Sequence, residues 1–389
     1  MKKRIFICLL LLLVLVSTAR YIRRAPKRDY SDFHVVYSTA QRFIQGEEIY
    51  TFEGDVSYYK YPPFYAFLTS FLAFSSEFKA AVLWHFLNWI FLFLIFFSWL
   101  NILDSKKRIL ISMLVFIFSF RFILENMDQG QANISFLAFS SIAFYFYFKG
   151  KRNISALFLA VSILSKYLSI VFIPFFIIRK EYKYALRTLV FLVILYFSPV
   201  ILTGVERMYH LMMQNIQFLF SSSLDNYSIT CYPNQSLLAA LRRMFSLNQW
   251  YPTQVYALSD KTISFIFFMA SFILLFLAYI PRRDIRINIG LISGLIPLLN
   301  PNGWKNSFIW LIVPSMILFQ QIFEKRVKNK FLITMVILSF VFTSCTSEFF
   351  VYWWAKDWFE IYSFVTYGAL FLYFALLKFN LSNKIISEK

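Results

Sequence analysis

Long apolar runs alternate with short basic clusters along most of the chain. After a first run at 5–16, runs of roughly the length that crosses a bilayer, about 17 to 25 residues, recur. The basic clusters that separate them lie at 106–108, 149–152, 179–187, 282–286, 325–330 and from 378 onward. Because Lys and Arg collect on the cytoplasmic side, pairs of crossings must join consecutive clusters. The pattern predicts about twelve transmembrane helices with both termini in the cytoplasm.

The turns between the paired crossings are polar or aromatic. They read "ENMDQGQAN", "NPNGWKN" and "EFFVYWWAKDW", and a long loop is predicted over 204–260. The segment "NISALFLAVSILSKYLSIVFIPFFII" lies between the basic clusters at 149–152 and 179–187. If it formed one long helix that crosses the membrane, one of these two clusters would lie on the extracytoplasmic side, against the positive-inside rule. We therefore predict two short helices that meet near Lys166.

The first extracytoplasmic loop is predicted over 23–78. Its apolar segment "YPPFYAFLTSFLAF", 61–74, is shorter than a span and is expected to enter the outer leaflet without crossing it. Pro62 and Pro63 suit the first turn of such a helix. The basic residues that follow the first apolar run favour an opposite orientation, in which 61–74 crosses and 29–50 is cytoplasmic. The same basic residues favour an uncleaved anchor over a cleaved signal peptide.

An amphipathic helix is predicted in this loop, within "DFHVVYSTAQRFIQG". Its apolar positions recur at helical spacing: Phe33, Val36, Tyr37, Ala40, Phe43 and Ile44. Asp32 occupies the expected N-cap position and Gly46 the expected end. We expect this helix to lie on the membrane surface and Asp32 to keep a low pKa at its N-terminus. A plain capping role for Asp32 fits the local sequence equally well.

Composition supports an all-α polytopic membrane protein with one integral membrane domain, 1–389. Of its 389 residues, 59% are hydrophobic, 21% aromatic and only 15% charged, which is not typical of soluble domains. The formal net charge of +19 is concentrated in the short clusters between apolar runs. This distribution follows the positive-inside rule, so we expect membrane lipids and no nucleic acid as partners.

The sequence offers no sign of a metal or cofactor. Its three cysteines are far apart, its three histidines are scattered, and it has no GxGxxG, GxxxxGK[ST] or HExxH motif. No DxD pair lies near Asp32. We therefore expect neither a metal nor a cofactor.

Two groups of cations are candidates for binding an anion. Lys166 lies within an apolar stretch, where an ionisable group is costly and by default indicates a functional site. The alternative is a lysine that extends to the interface from a helix end. Arg242 and Arg243 are further candidates for a phosphate, although extension to the surface explains them as well.

Several short motifs occur in an order that resembles a known family. They are "DFHVVYSTAQRFIQGEEIY", "YKYPPFYAF", "DQGQANI", "ILSKYLSIVFIPFFIIRK", "NQSL" and "NPNGWKNSFIWLIVP". In this order they resemble the bacterial polyprenol-phosphate-sugar glycosyltransferases of family 87. The resemblance implies the C-type glycosyltransferase fold and transfer of mannose, arabinofuranose or a similar sugar from a polyprenyl-phosphate donor. It also implies an active site at the outer face of the inner (plasma) membrane, in the cell envelope.

The resemblance assigns roles residue by residue. The essential aspartate of the first outer loop matches Asp32, the family's "GQxN" matches Gly130, Gln131 and Asn133, and its lysine matches Lys166. The family commonly has a Ser-Pro, a Trp and then a His. Here Asn300-Pro301, Trp304 and Asn306 follow instead. An asparagine at 306 can orient a carboxylate by hydrogen bonding but cannot carry charge.

A sugar on a lipid phosphate already has a good leaving group. The protein then needs a base for the acceptor hydroxyl and donors or positive charge for the departing phosphate. Asp32 is the predicted base, and a single displacement would invert the anomeric centre. The residues predicted to bind donor or acceptor are Lys166, Tyr61, Gln131, Asn133, Asn234, Gln235, Trp304 and Asn306. The acceptor is expected to be a lipid or a glycan.

Two other functions fit the same pattern. A membrane transporter or lipid-linked-sugar flippase would also use about twelve spans and a membrane-embedded lysine, although no internal repeat is evident. A surface polysaccharide polymerase or ligase would share the architecture and use a diphosphate-linked donor. The long outer loops favour a transferase with an extracytoplasmic active site.

Overall fold

The computed structural model describes residues 12, 14–23, 31–50, 59–221, 229–247, 251–324 and 329–386. Within these ranges the chain folds into helices and turns without a β-strand, and one isolated bridge pairs Asn234 with Trp304. The predicted all-α architecture is confirmed for this part of the chain. Most of the first apolar run, on which the anchor prediction depends, lies outside the described residues.

The α-helices are numbered here in chain order. They are α1 (Ser31–Gln45), α2 (Pro63–Thr69), α3 (Glu77–Leu103), α4 (Arg108–Gln129), α5 (Asn133–Phe148), α6 (Arg152–Ser165), α7 (Phe172–Ile178), α8 (Tyr182–Phe197), α9 (Val200–Ser221), α10 (Leu237–Phe245), α11 (Asp260–Tyr279), α12 (Ile285–Leu299), α13 (Ile312–Glu324), α14 (Lys330–Phe340), α15 (Trp353–Ile361) and α16 (Phe364–Ile386). Short 3₁₀ turns follow α2 (Ser70–Phe74) and precede α7 (Tyr167–Val171) and α13 (Lys305–Leu311).

Four helical segments among the described residues are long and apolar enough to cross a membrane. They are α3, α4, α11 and Lys305–Phe323, and the number is six if α8 with α9 and α15 with α16 each form one bent span. These pairs bend by 89° and 62°, respectively. Several shorter apolar helices accompany them. The chain is thus a helical membrane protein, and the number of about twelve spans stays a prediction.

Two predicted short segments are confirmed. Helix α6 ends at Ser165, and the extended backbone of Lys166 (φ −164°, ψ 88°) separates it from the turn that leads into α7. Helix α2 and its 3₁₀ extension, Pro63–Phe74, are too short to cross a bilayer. Pro62 and Pro63 begin α2 as expected, because proline fits the first helical turn.

The apolar face of α1 is covered by protein. Phe33, Ala40 and Phe43 are almost fully buried, and α1 packs against α2 and its 3₁₀ extension. The apolar face therefore packs against protein for most of the helix, and the expected position of α1 on the membrane surface stays a prediction. The adjoining Pro63–Phe74 segment supplies the apolar partner, and of the predicted face only Ile44, 39% exposed, remains open.

The ends of α1 are defined by different interactions. Helix α1 includes Ser31, so Asp32 lies in its first turn and the predicted N-cap position is wrong. Gly46, at φ +88°, ends the helix as expected, because a left-handed residue interrupts the helical backbone. Arg207 of α9 donates hydrogen bonds to the carbonyls of Phe43 (2.8 Å) and Glu47 (2.9 Å). This guanidinium satisfies the carbonyl of Phe43, one of those that a helix C-terminus leaves without a partner, and ties it to the residue that follows Gly46.

The described chain divides into two compact units. The first comprises 1–102 and 125–223, and the second comprises 103–124 and 224–389. In the first unit, α6 packs between α5 and α8. Ser155 donates to the carbonyl of Ala143 (2.7 Å) and Ser162 to that of Phe136 (2.9 Å), so small polar residues link α6 to α5.

In the second unit, α12 packs against α13 and α16, and α14 packs against α16. The region 204–260, predicted as a long outer loop, contains most of α9 and all of α10. Its side of the membrane stays a prediction.

Arg243 of α10 is a structural residue of the second unit. It is fully buried and donates to the carbonyls of Cys231 (3.0 Å) and Asn234 (2.8 Å) and to the hydroxyl of Ser363 (2.8 Å). Burying a charge is tolerated only when its hydrogen bonds are satisfied. Both sequence interpretations of Arg243, a phosphate ligand and a side chain that extends to the surface, are therefore wrong.

Replacing this arginine should destabilise the second unit. We expect Arg243→Met to lower the free energy of unfolding by roughly 3 kcal/mol, because each buried carbonyl left without a donor costs about 1–3 kcal/mol. Thermal unfolding in detergent, followed by tryptophan fluorescence, measures the change. Arg242→Met, at the half-buried neighbouring position, is the matched control. Equal stability of the two variants would contradict this role.

Candidate active site

The start of α1 is held against the "DQGQAN" turn by a close backbone approach. Gly130 has φ +63°, and a Cβ added there would lie 2.7 Å from Cβ of Phe33. The carbonyl of Gly130 accepts a hydrogen bond from Nε1 of Trp84 at 2.9 Å. Glycine at 130 is thus required by its positive φ and by the contact. The approach brings Asp32, the residue before Phe33, beside Gln131, whose side chain hydrogen-bonds the carboxylate.

The turn also holds its own amide side chains in place. The backbone N–H of Gln131 donates to the carbonyl of Asn126 at 2.9 Å. Nδ2 of Asn133 donates to Oδ1 of Asn126 (3.3 Å) and to Oε1 of Gln131 (3.4 Å). Asn126 and Asn133 are almost fully buried. Sequence reasoning missed Asn126, which lies in the quoted motif but organises the turn only through its folded contacts.

Lys166 meets this turn from the break between α6 and α7. Its Nζ donates to Oδ1 of Asn133 at 3.4 Å. The same ammonium lies 5.8 Å from the ring centroid of Tyr61 and 6.0 Å from that of Phe136, within the range of cation–π attraction. The backbone carbonyl of Tyr61 accepts a hydrogen bond from the hydroxyl of Tyr50 at 2.8 Å. The ammonium is therefore held in a half-buried position by one amide and two aromatic rings.

Five predicted site residues therefore lie together in the first unit. They are Asp32, Tyr61, Gln131, Asn133 and Lys166. Lys60, exposed and next to Tyr61, adds a second positive charge that acts on both Asp32 and Lys166. Sequence reasoning missed Lys60. Its position beside Tyr61 in the motif "YKYPP" was the available signal.

The pKa of Asp32 is raised above the ordinary aspartate value. Burial is the largest cause, because it disfavours the charged carboxylate. The hydrogen bond from Gln131 and the positive charges of Lys166 and Lys60 act in the opposite direction but do not outweigh burial. The expected low pKa is therefore wrong, because the surroundings of Asp32 matter more than its place at a helix start. A carboxylate with a raised pKa is a stronger base near neutral pH.

The other predicted residues lie on two adjoining loops of the second unit. The isolated bridge joins Asn234 to Trp304, and the N–H of Gln235 donates to the carbonyl of Gly303 at 2.8 Å. A Cβ at Gly303 would lie 2.3 Å from the carbonyl oxygen of Pro297, so only glycine fits there. Trp304 is 37% exposed, while Asn306 is buried. The "NQSL" and "NPNGWKN" motifs thus form one structure.

The amides of Asn234 and Gln235 hold this structure together. Nδ2 of Asn234 donates to the carbonyl of Pro301 at 2.7 Å. Nε2 of Gln235 donates to the carbonyls of Tyr232 (2.6 Å) and Glu360 (2.7 Å). Both side chains are fully buried. Their contact with a sugar stays a prediction. Their side-chain nitrogens already donate hydrogen bonds to backbone carbonyls.

A buried ion-pair cluster next to these loops was missed by sequence reasoning. The carboxylate of Glu360 is fully buried and accepts hydrogen bonds from Nζ of Lys305 (2.9 Å) and from Nη2 of Arg121. Lys305 follows the predicted Trp304 directly, and Glu360 lies in an aromatic-rich stretch. Neither position indicates a charge partner in the sequence, because the partners lie far apart along the chain.

No group of three or more His, Cys, Asp or Glu side chains that could hold a metal ion occurs in the described ranges. Independence of a metal stays a prediction.

Comparison with known proteins identifies the family. The sequence profile of glycosyltransferase family 87 matches residues 59–300. The match includes Lys166 and the "DQGQAN" turn, whereas Asp32, Trp304 and Asn306 lie outside it. No curated protein and no solved structure matches the chain. Since the match covers more than half of the 389 residues, the chain belongs to glycosyltransferase family 87 and is a membrane glycosyltransferase.

Proposed function

We propose that this protein transfers a sugar from a polyprenyl-phosphate donor to a hydroxyl group of a lipid or glycan acceptor, with inversion at the anomeric carbon. The observation that carries the proposal is the pairing of one carboxylate, Asp32, with the ammonium of Lys166 through a shared set of amides. Family membership supplies the reaction class. The sugar is mannose, arabinofuranose or a close relative, as in the enzymes that the motifs resemble.

Asp32 acts as the general base. Its carboxylate takes the proton of the acceptor hydroxyl while the oxygen attacks the anomeric carbon, and the bond from that carbon to the phosphate oxygen breaks with its electron pair. One displacement inverts the centre, whereas retaining enzymes use two carboxylates and two displacements. The raised pKa supports this role, because the carboxylate then binds the proton more strongly.

Lys166 and Lys60 stabilise the departing phosphate. Negative charge grows on the phosphate as the glycosidic bond breaks, and fixed positive charge near that position lowers the barrier. The two positive charges of Lys166 and Lys60 outnumber the single negative charge of Asp32. The cluster is therefore suited to binding one more anion. Asn133 and the ring of Tyr61 hold the ammonium of Lys166 in place.

Removing the base should abolish transfer. We expect Asp32→Asn to lower turnover with a polyprenyl-phosphate sugar by about 10²–10⁴-fold, because the amide cannot accept the proton. Release of polyprenyl phosphate and labelling of the acceptor are measured with protein that keeps its wild-type unfolding temperature. Glu47→Gln, an exposed carboxylate just beyond the other end of α1, is the control. Unchanged turnover of Asp32→Asn would refute the assignment.

The pH profile tests the environment of Asp32. Activity should fall as the pH decreases through the raised pKa of Asp32, above the value of about 3.9 for an ordinary aspartate. Gln131→Leu removes a hydrogen bond that favours the carboxylate, so the pKa rises further and the acid limb moves to higher pH. Ser38→Ala, elsewhere on α1, should leave the limb in place. If the acid limb of the pH–activity profile of Gln131→Leu lies at the same pH as that of the wild type, the role of Gln131 is contradicted.

The finer architecture is also part of the proposal. We infer the C-type glycosyltransferase fold with about twelve spans, and loops 23–78 and 204–260 on the extracytoplasmic side of the plasma membrane. The break at Lys166 and the short α2 support the pairing of crossings from which this topology follows. Membership of a glycosyltransferase family disfavours the transporter and flippase alternatives. A polymerase or ligase differs in its donor, so parallel assays with monophosphate- and diphosphate-linked sugars separate the two.

A reporter fusion tests the topology. A reporter inserted after Gly46 should report an extracytoplasmic position, because pairs of crossings separate the basic clusters. A fusion at Asp284, within the basic cluster at 282–286, serves as the cytoplasmic control. A cytoplasmic signal at Gly46 would support the opposite orientation and remove the active site from the outer face.

A further inference from the structure

Asn215 is a buried amide on a helix face that is otherwise apolar. On α9 it follows Met208 and Leu211 at helical spacing, and all three side chains are 2% exposed. Helices α8 and α9 together are apolar enough to cross a membrane as one bent span. A polar side chain buried in such a segment is costly unless its hydrogen bonds are satisfied, and it commonly marks a functional position. The hydrogen-bond partners of Asn215 therefore indicate its role.

The amide of Asn215 contacts tyrosine hydroxyls from three parts of the first unit. Its Oδ1 accepts hydrogen bonds from the hydroxyl of Tyr167 at 2.8 Å and from that of Tyr196 at 3.4 Å. Its side chain also hydrogen-bonds the hydroxyl of Tyr50. Because the Tyr50 hydroxyl donates to the carbonyl of Tyr61 at 2.8 Å, the Tyr50 oxygen is the acceptor for Nδ2 of Asn215. Both the oxygen and the nitrogen of the amide are thus in use.

Two of these contacts lead to the two sides of Lys166. Tyr167 follows Lys166 directly, at the break between α6 and α7, where Lys166 has an extended backbone. On the other side, the centroid of the Tyr61 ring is 5.8 Å from the Lys166 ammonium. Tyr50, which binds the Tyr61 carbonyl, stacks its ring on that of Phe218 of α9, with centroids 5.9 Å apart. Helix α9 thus supports both the segment that carries Lys166 and the ring that faces its ammonium.

The break needs such support because no continuous helix holds its backbone. Helix α6 ends at Ser165, and the hydroxyls of Ser162 and Ser169 hydrogen-bond each other across the break at 2.7 Å. This contact joins the chain on either side of Lys166. The hydrogen bond from Tyr167 to Asn215 then limits rotation of the segment in between, because it fixes the residue next to Lys166.

We propose that Asn215 is a positioning residue that, through Tyr167 and Tyr50, holds the ammonium of Lys166 where the departing phosphate is bound. The proposal rests on the function proposed above, in which Lys166 stabilises the negative charge that grows on the phosphate. A misplacement of about 1 Å can lower a rate by about 10²-fold, so a fixed backbone at Lys166 matters for turnover. Asn215 acts without touching the substrate, because its amide is buried and occupied by the tyrosine hydroxyls.

Tyr167→Phe gives the cleanest test, because it removes only the hydroxyl that reaches Asn215. We expect kcat to fall about tenfold and the Kd for polyprenyl phosphate, the released product, to rise about tenfold, as loss of one hydrogen bond that orders a charged group would cause. The KM for the acceptor should stay within about twofold of wild type, since the change acts on the phosphate. Direct binding of radiolabelled polyprenyl phosphate in detergent gives the Kd without requiring turnover.

Tyr196→Phe is the matched control. Tyr196 donates to the same oxygen of Asn215 but belongs to α8 rather than to the break at Lys166. Its bond of 3.4 Å is longer than the usual range of about 2.5–3.0 Å for hydroxyl donors and is therefore weak. Both kcat and the Kd for polyprenyl phosphate should stay within about twofold of wild type in this variant.

Two further variants separate positioning from stability. Asn215→Leu continues the apolar face of α9 and removes both contacts, so its losses of kcat and of affinity for polyprenyl phosphate should be at least those of Tyr167→Phe. In Lys166→Met the positioned charge is absent, so adding Asn215→Leu should change the Kd by less than about twofold. A role in folding alone would instead lower the unfolding temperature and the fraction of active protein, with an unchanged Kd of the folded fraction.

Several results would overturn the proposal. A folded Tyr167→Phe or Asn215→Leu protein with wild-type kcat and Kd would do so, as would equal losses in Tyr167→Phe and Tyr196→Phe. An equal rise in Kd with and without Lys166 would show that the effect does not pass through the ammonium. Loss of the folded protein in both Tyr167→Phe and Asn215→Leu would assign Asn215 to stability alone.

The proposed function has a separate test. Activity of Asp32→Asn would refute the general base, whereas the Kd values for polyprenyl phosphate would be unaffected by that result. The two failures are therefore distinguishable.

Discussion

Burial of a charged carboxylate in apolar surroundings is the constraint on which the proposed site depends. The amide of Gln131 and the positive charges of Lys166 and Lys60 stabilise the ionised carboxylate of Asp32. These groups offset part of the burial cost without cancelling it, so the pKa remains raised. The balance produces a carboxylate that can ionise and still bind a proton strongly, as a general base requires.

The second unit meets the same constraint in a different way. The carboxylate of Glu360 is fully buried and faces two cations, Arg121 and Lys305, and its carbonyl accepts from Gln235. Asp32 is only half-buried, and one of its cations, Lys60, is exposed. The first cluster is therefore accessible for chemistry, and the second is suited to holding loops. Burial, rather than residue type, separates the two roles.

Motif order predicted residues that lie close together in the fold, and the limits of such prediction have a physical cause. Asp32, Tyr61, Gln131 and Lys166 were predicted separately and lie together in the fold. Asn126 was missed, because its role consists of hydrogen bonds that exist only once the turn at Gly130 closes. Arg243, Lys305 and Glu360 have partners far along the chain, and a single sequence contains no measure of which distant charges meet.

Local chemistry in the sequence was sufficient for the helical membrane architecture, the break at Lys166, the proline start of α2 and the end of α1 at Gly46. Each depends on hydrophobic length or backbone preference within a few residues. Only the tertiary structure decided what covers α1 and whether the pKa of Asp32 rises or falls. Burial and charge pairing depend on residues brought together from distant parts of the chain, and these neighbours exist only in the folded protein.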